Sequence, residues 1–174
     1  MNLAGIAKIR LISQQIAGTK FKAVKDIVAW MGAMQAQDYA MVKWAIGVRL
    51  PNTIDRAIEA AIDNGEIIRT HLLRPTWHFV SADDIYWLLG LTAPQIKASL
   101  KSRHKAVSNN GIFRPVIVVN GQVIGIWKRT AKKDLVIVET DFFKQPPKSM
   151  KDLVEKAAVS FGQFLEKKTE IKFK

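Results

Sequence analysis

The segment Met34-Gln35-Ala36-Gln37-Asp38-Tyr39 places two side-chain amides two residues apart. On a continuous helix such residues point to nearly opposite sides, whereas an extended or turning backbone aims both the same way. A carboxamide donates and accepts hydrogen bonds but takes up no proton near neutral pH. A converging pair therefore suits the positioning of water or the stabilisation of charge, not proton abstraction. Pattern alone favours a plainer arrangement, in which Gln35 extends the Val28-Met31 face and Gln37 bonds backbone at a helix junction. Other chemistries find few residues. There is no cysteine, which excludes disulfides, thiolate zinc sites, iron–sulfur clusters and cysteine nucleophiles. His71, His78 and His104 lack metal-ligand spacing, and neither a phosphate-binding glycine motif nor a serine-nucleophile elbow occurs, so no metal and no small-molecule cofactor is expected. Asp83-Asp84 reads as a pair of helix-start acids.

Charge points to a partner. The 27 Lys and Arg against 15 Asp and Glu leave a net +12, and a pI near 10.0 fits a polyanion, most often nucleic acid. Residues 1–96 carry 10 basic and 8 acidic side chains, whereas residues 97–174 carry 17 and 7. The basic footprint is thus mostly C-terminal. The alternative is that the high pI serves solubility alone. At 174 residues, 48% hydrophobic and 24% charged, the chain is long enough for one domain with a real core or two small ones, and too apolar to be disordered. The longest apolar stretch, around Ile85 to Ala93, is about half of the roughly 20 residues that a bilayer requires. Lys8 and Arg10 interrupt the N-terminus before a signal-peptide core could form. These features predict a soluble, cytoplasmic protein without a membrane partner; protein partners are not indicated.

The elements that must carry the amides follow from periodicity. Isoleucines 6, 9, 12 and 16 fall at helical spacing, predicting an amphipathic helix over 6–17 that Gly18 stops. Val24, Ile27, Val28 and Met31 predict a second helix over about 23–34. Asp38 caps a third, 39–48, and Thr53 a fourth, 54–63, closed by Asn64-Gly65. Glu66–Leu72 and Thr76–Val80 then read as a β-hairpin around Leu73-Arg74-Pro75. Helices followed by a β-hairpin is the winged-helix order. Ser81 caps a helix to Leu91, and Thr92-Ala93-Pro94 starts another, to about Arg103. After Ser108-Asn109-Asn110-Gly111, strands at 116–119 and 122–127 flank the hairpin signal Asn120-Gly121. A third strand at 135–139, a helix capped by Ser149 to about 165, and a strand-like tail at 169–174 complete the chain. The expected fold is α+β: an N-terminal winged helix-turn-helix region with extra helices over 1–106, a linker at 107–111, and a basic β-rich region with a terminal helix over 112–174.

Three strings, Gly32-Ala33-Met34-Gln35-Ala36-Gln37-Asp38-Tyr39, then Trp44-Ala45-Ile46 with Arg49, then Gly65–Thr70 with Arg74–Val80, together resemble the winged-helix DNA glycosylases of the AlkZ/YcaQ type in order and spacing. Val118–Arg129 is similar to the β-rich C-terminal region of the same family. The resemblance implies that Gln35 and Gln37 form the family's catalytic Gln-x-Gln element. It also implies hydrolysis of the N-glycosidic bond of alkylated purines in double-stranded DNA, in base excision or crosslink unhooking, and a cytoplasmic, nucleoid-associated location. Glutamines suit that chemistry, because a purine alkylated at N7 is cationic and already a good leaving group. The family's Thr-x-His motif maps onto Thr76 and His78, with His78 either contacting DNA or making a structural hydrogen bond. Arg69 and Arg74 on the hairpin are candidate phosphate contacts, and Lys128 and Arg129 are exposed candidates beside Trp127. Family members carry several winged helices before the C-terminal β region, and here only Val107–Gly111 separates the two. That departure leaves a non-catalytic winged-helix DNA-binding module as the alternative.

Overall fold

The computed structural model describes residues 3–73, 76–102, 115–120 and 122–173. The protein is α+β, and its contacts divide it into two units: Gly18–Asn110, and Gly111–Lys174 together with Met1–Ala17. The expected linker 107–111 lies outside the described residues. Helix α1, Leu3–Ser13, thus groups with the C-terminal region and not with the helices that follow it. It stops short of the expected Gly18 because Gln15 takes a left-handed φ of 57°, and the N–H groups of Ile16 and Ala17 fold back onto the Leu11 carbonyl. The row Ile6, Ile9, Ile12 and Ile16 has helical spacing but remains 38–52% exposed. Periodicity identified the helix and not what covers it.

In the unit 18–110, α2 (Val24–Met31) buries Ile27 and Val28. The sequence predicts a helix to Met34; Gly32 instead adopts φ 71° and its N–H bonds the Ala29 carbonyl, closing the helix. The chain then extends as strand β1, Met34–Gln35. Asp38 caps α3 (Tyr39–Gly47) as expected, its side chain accepting from the Met41 N–H at 3.1 Å. Helix α4, Asp55–Asp63, begins after Ile54 with no side-chain cap, so the expected Thr53 cap is not made. Strands β2 (Ile67–Leu72) and β3 (Thr76–Ser81) form the expected hairpin, in register from Ile67 opposite Ser81 to Leu72 opposite Thr76. β1 lies antiparallel on the other edge of β3, giving the order β1-β3-β2.

Both sheet faces are covered. Leu72 and Val80 pack with Leu88, against Ala33, Ile68 and Ile85, while Phe79 meets Tyr39 edge-on at 5.9 Å. Ser81 caps a 3₁₀ turn at Ala82–Asp84. It leads into one continuous helix, α5 (Ile85–Ser102), where two were expected. Pro94 removes a single intrahelical bond, and the turns on either side hold across it.

In the other unit, β4 (Val116–Val119), β5 (Gln122–Ala131), β6 (Leu135–Phe142) and β7 (Lys168–Phe173) form a sheet in that order. β6 and β7 are parallel, joined by α6, Lys148–Phe164. α6 starts after Pro147 without the expected Ser149 cap. Val154, Ala158, Phe161 and Phe164 are its buried side, and Trp127 meets Phe161 edge-on at 5.4 Å. β5 and β6 approach closely at Gly125, where an added Cβ would lie 2.5 Å from the Asp141 carbonyl. Among the described residues no helix is long and apolar enough to cross a membrane.

Phe79 has no exposed surface and lies in the central strand of its sheet. Phe79→Ala is expected to destabilise the unit 18–110 by about 3–5 kcal/mol, read from urea unfolding; a loss below about 1 kcal/mol would place the core elsewhere.

Candidate active site

Strand β1 ends at Gln35, and Gln37 follows two residues on, in the bend that leads to α3. Gln35 stands opposite His78 on β3, and His78 stands opposite Thr70 on β2. Cross-strand partners share a face, so Gln35, His78 and Thr70 form one row across the sheet. Gln35 is exposed, and its amide has no hydrogen-bond partner among the described residues. Gln37 is also exposed, and its Oε1 accepts a long 3.4 Å bond from the Trp77 N–H. The carboxamide oxygen must face that donor, so the NH₂ group of Gln37 is the end presented outward. The plainer alternative, Gln37 bonded to backbone, is met here: Gln37 stands in the bend just before the Asp38 cap of α3 and accepts from the backbone of β3.

His78 is 7% exposed, and its Nδ1 lies 3.0 Å from the Thr76 carbonyl. A carbonyl can only accept, so Nδ1 carries the proton and Nε2 keeps its lone pair. Nε2 has no partner among the described residues, and no buried side-chain nitrogen or oxygen goes unpaired there. It therefore reaches solvent on the Gln35 face. Burial pushes the imidazole below its ordinary value; the bond to Thr76 opposes this and His71 adds to it. The ring is neutral at pH 7.

Arg69 turns inward. Its Nη2 and Nε donate to the Ala36 carbonyl at 2.9 and 3.2 Å, and its guanidinium lies 4.4 Å from the Trp77 ring centre and 5.4 Å from that of Tyr39. His71 stacks on Trp77 at 3.9 Å. Behind this, Tyr39 donates to Glu59 at 2.6 Å. Buried Lys43 pairs with Asp55 at 2.8 Å and with Glu59. Burial, then the Glu59 bond, pushes the Tyr39 hydroxyl up to about 12. Burial alone would raise Glu59, yet the bonds from Lys43 and Tyr39 outweigh it and hold the carboxyl below its usual range. Burial likewise opposes the charge on Lys43, and the two carboxylates overcome it. This network fixes α3 to α4.

Of the residues singled out from sequence, Gln35, Gln37, Arg69 and His78 come together; Arg74 lies outside the described residues. Lys128 and Arg129 belong to the other unit, where Lys128 is exposed and pairs with Glu139 at 2.9 Å. Sequence reasoning missed the inward fork of Arg69 and the part played by Trp77, Tyr39 and Thr70. The β-strand alternation of Arg69, His71 and the facing Trp77 was the one signal that could have grouped them. Among the described residues no group of three or more acidic or histidine side chains could hold a metal ion.

An α-β-α-α-β-β unit with an amide pair at the edge of its sheet is the class of protein that fold and site define. Residues 28–108 match the family model described as DNA glycosylase AlkZ-like. Among solved structures, the DNA glycosylase AlkZ of Streptomyces sahachiroi is similar over 87% of this chain and 45% of its own, at 13% identity and a TM-score of 0.29. The chain thus spans less than half the length of that protein. No curated protein matches the chain.

The depressed His78 value has a consequence for stability. The unfolded chain takes up the imidazole proton more readily than the folded one, so stability is full above about pH 6.5 and falls as pH drops below it. Urea midpoints measured between pH 7.5 and 5 should decline, and His78→Gln should flatten that decline. Equal slopes for both proteins would show that His78 titrates normally.

Proposed function

We propose that the chain binds double-stranded DNA and hydrolyses the N-glycosidic bond of alkylated purines at Gln35 and Gln37. The observation that carries this reading is the placement of the pair against β3 in the AlkZ-like segment, with an unpartnered Gln35 amide opposite a neutral histidine and Gln37 held on the neighbouring Trp77 with its NH₂ outward. Loss of a cationic N7-alkylpurine needs no proton from the protein. It needs a positioned water and stabilisation of the oxocarbenium charge that develops on the sugar. The Gln35 carbonyl oxygen, a dipole with its negative end outward, serves either role. The Gln37 NH₂ group donates to the sugar or the base, and neutral His78 offers its Nε2 lone pair without adding positive charge beside the forming cation. Undamaged purines, which leave only with stronger activation, are not substrates in this scheme.

The α-β-α-α-β-β order and the β1-β3-β2 sheet support a winged helix, with α4 in the position that reads the major groove. The charge of α4 opposes such a role, since it carries Asp55, Glu59 and Asp63 against the single Arg56. Duplex binding therefore rests on charge and shape at other surfaces and carries little sequence preference. Lys128 and Arg129, with the rest of the basic C-terminal region, supply part of that charge. A protein acting on DNA in this way works in the cytoplasm, at the nucleoid. A second reading, DNA binding without base release, is favoured by the exposure of both glutamines, because electrostatic stabilisation is strongest where water is excluded.

Affinity for a random-sequence duplex is expected to fall steeply with salt, each phosphate contact adding about 0.9 to the log–log slope. A flat response between low and physiological ionic strength would remove DNA as the partner. Single-turnover release of N7-alkylguanine from a defined duplex, with protein above the dissociation constant, separates the two readings. Gln35→Ala or Gln37→Ala should lower release by roughly 10² to 10³ with binding unchanged. No release by the wild type, with binding intact, leaves the DNA-binding module.

A further inference from the structure

The β1–β3 ladder breaks its own rule next to the amide pair. Met34 faces Phe79 and Gln35 faces His78, so one step further Ala36 faces Trp77. Residues in such a hydrogen-bonded antiparallel pair exchange two bonds, each N–H to the other's carbonyl. The first is made: the Ala36 N–H donates to the Trp77 carbonyl at 2.6 Å. The second is not. The Trp77 N–H goes to the side-chain Oε1 of Gln37, and the Ala36 carbonyl, its ordinary acceptor, is occupied by the fork of Arg69.

We propose that Arg69 is the positioning residue of the amide pair: it withdraws the Ala36 carbonyl from the β1–β3 ladder, so that the Trp77 N–H must bond the Gln37 side chain and orient it. The inference rests on the reading of Gln35 and Gln37 as the reacting groups. Three features suit an arginine to the role. Two N–H groups of one plane converge on a single carbonyl, which an ammonium cannot reproduce. The plane is held against Trp77 and Tyr39, rings placed by β3 and α3. Among the described residues no carboxylate lies within ion-pair distance of the guanidinium, so nothing competes for it. With the fork removed, the Ala36 carbonyl returns to the Trp77 N–H, the ladder closes, and Gln37 is released to solvent.

The test is Arg69→Lys, which keeps the charge and loses the planar fork, with Arg69→Gln as a second variant should the first fail to fold. In the wild type the Gln37 side-chain amide should be ordered by ¹⁵N relaxation, and in the variant it should relax as a free surface glutamine while the Trp77 backbone amide shifts. Release of alkylated purine should fall about 10²-fold, the cost of a misplacement near 1 Å, with the duplex dissociation constant and its salt slope unchanged. A Gln37 amide as ordered in the variant as in the wild type would overturn the proposal. So would an unchanged Gln37 amide combined with weaker binding and a shallower salt slope, which would make Arg69 a phosphate contact. The relaxation measurement needs no activity. If the wild type releases no base, the glycosylase reading fails by itself and the relaxation result still decides the role of Arg69.

Discussion

Strand β3 is the constraint on which the site depends. It lies between β1 and β2, and each position from Thr76 to Phe79 is engaged on more than one side. Thr76 faces Leu72 and offers its carbonyl to His78. Trp77 bonds Ala36 and Gln37 on one edge and carries the Arg69 and His71 planes on its ring. His78 sets the row shared with Gln35 and Thr70. Phe79, fully buried, anchors the strand against Tyr39. Since side chains alternate along a strand, a slip of one residue would carry Trp77 and Phe79 to the opposite face and separate Gln35 from His78. Register is therefore fixed by the core packing of Phe79 and Val80, and the chemistry inherits its geometry from that packing.

Electrostatics divides the same way. Charge near the amides is tied into structure: the Asp38 carboxylate next to Gln37 accepts from the Met41 N–H, His78 is held neutral by burial, and Glu59 is engaged by Lys43 and Tyr39. Arg69, a cation beside the pair, is turned onto a backbone carbonyl. The two amides and the imidazole themselves are neutral dipoles. Neutral dipoles suit a reaction in which the electrons of the breaking C–N bond neutralise the departing cationic base and the positive charge passes to the sugar, because a carboxylate beside the base would bind that cation in the ground state and lose the attraction as the bond breaks.

Much of this could be read from the sequence, for local reasons. The β-hairpin at 67–81, the Asp38 cap and the Asn64-Gly65 stop depend on turn and cap chemistry within a few residues, and they stand where expected. The amide pair was visible because two identical polar residues at spacing two are informative whichever backbone carries them. The strand under them was not: Val24–Met34 continues an apolar helical pattern, and only the left-handed Gly32, together with the edge that β3 offers, converts Met34-Gln35 to strand. Thr53 and Ser149 have the right type for caps, but the cap positions fall at Ile54, one residue after Thr53, and at Pro147, two residues before Ser149. Pro94 marked a boundary by its missing N–H, and the continuous helix tolerates the loss of one bond. The fork of Arg69 crosses from residue 69 to residue 36, a separation to which local pattern is blind.

The division of the chain has a meaning for how it is made. Gly18–Asn110 is one uninterrupted stretch that closes its contacts within itself, whereas the other unit draws on residues both before and after that stretch. Its last strand, β7, joins β6 in parallel only after α6 has crossed between them. Contacts over short chain separations form early, and parallel pairings late. On a ribosome, the unit bearing the glutamines has all it needs once about two-thirds of the chain has emerged, since domains fold as they become complete. The basic unit waits for β7. A chain halted late in synthesis would therefore present the unit with the glutamines folded while the four-stranded sheet of the other unit was still incomplete.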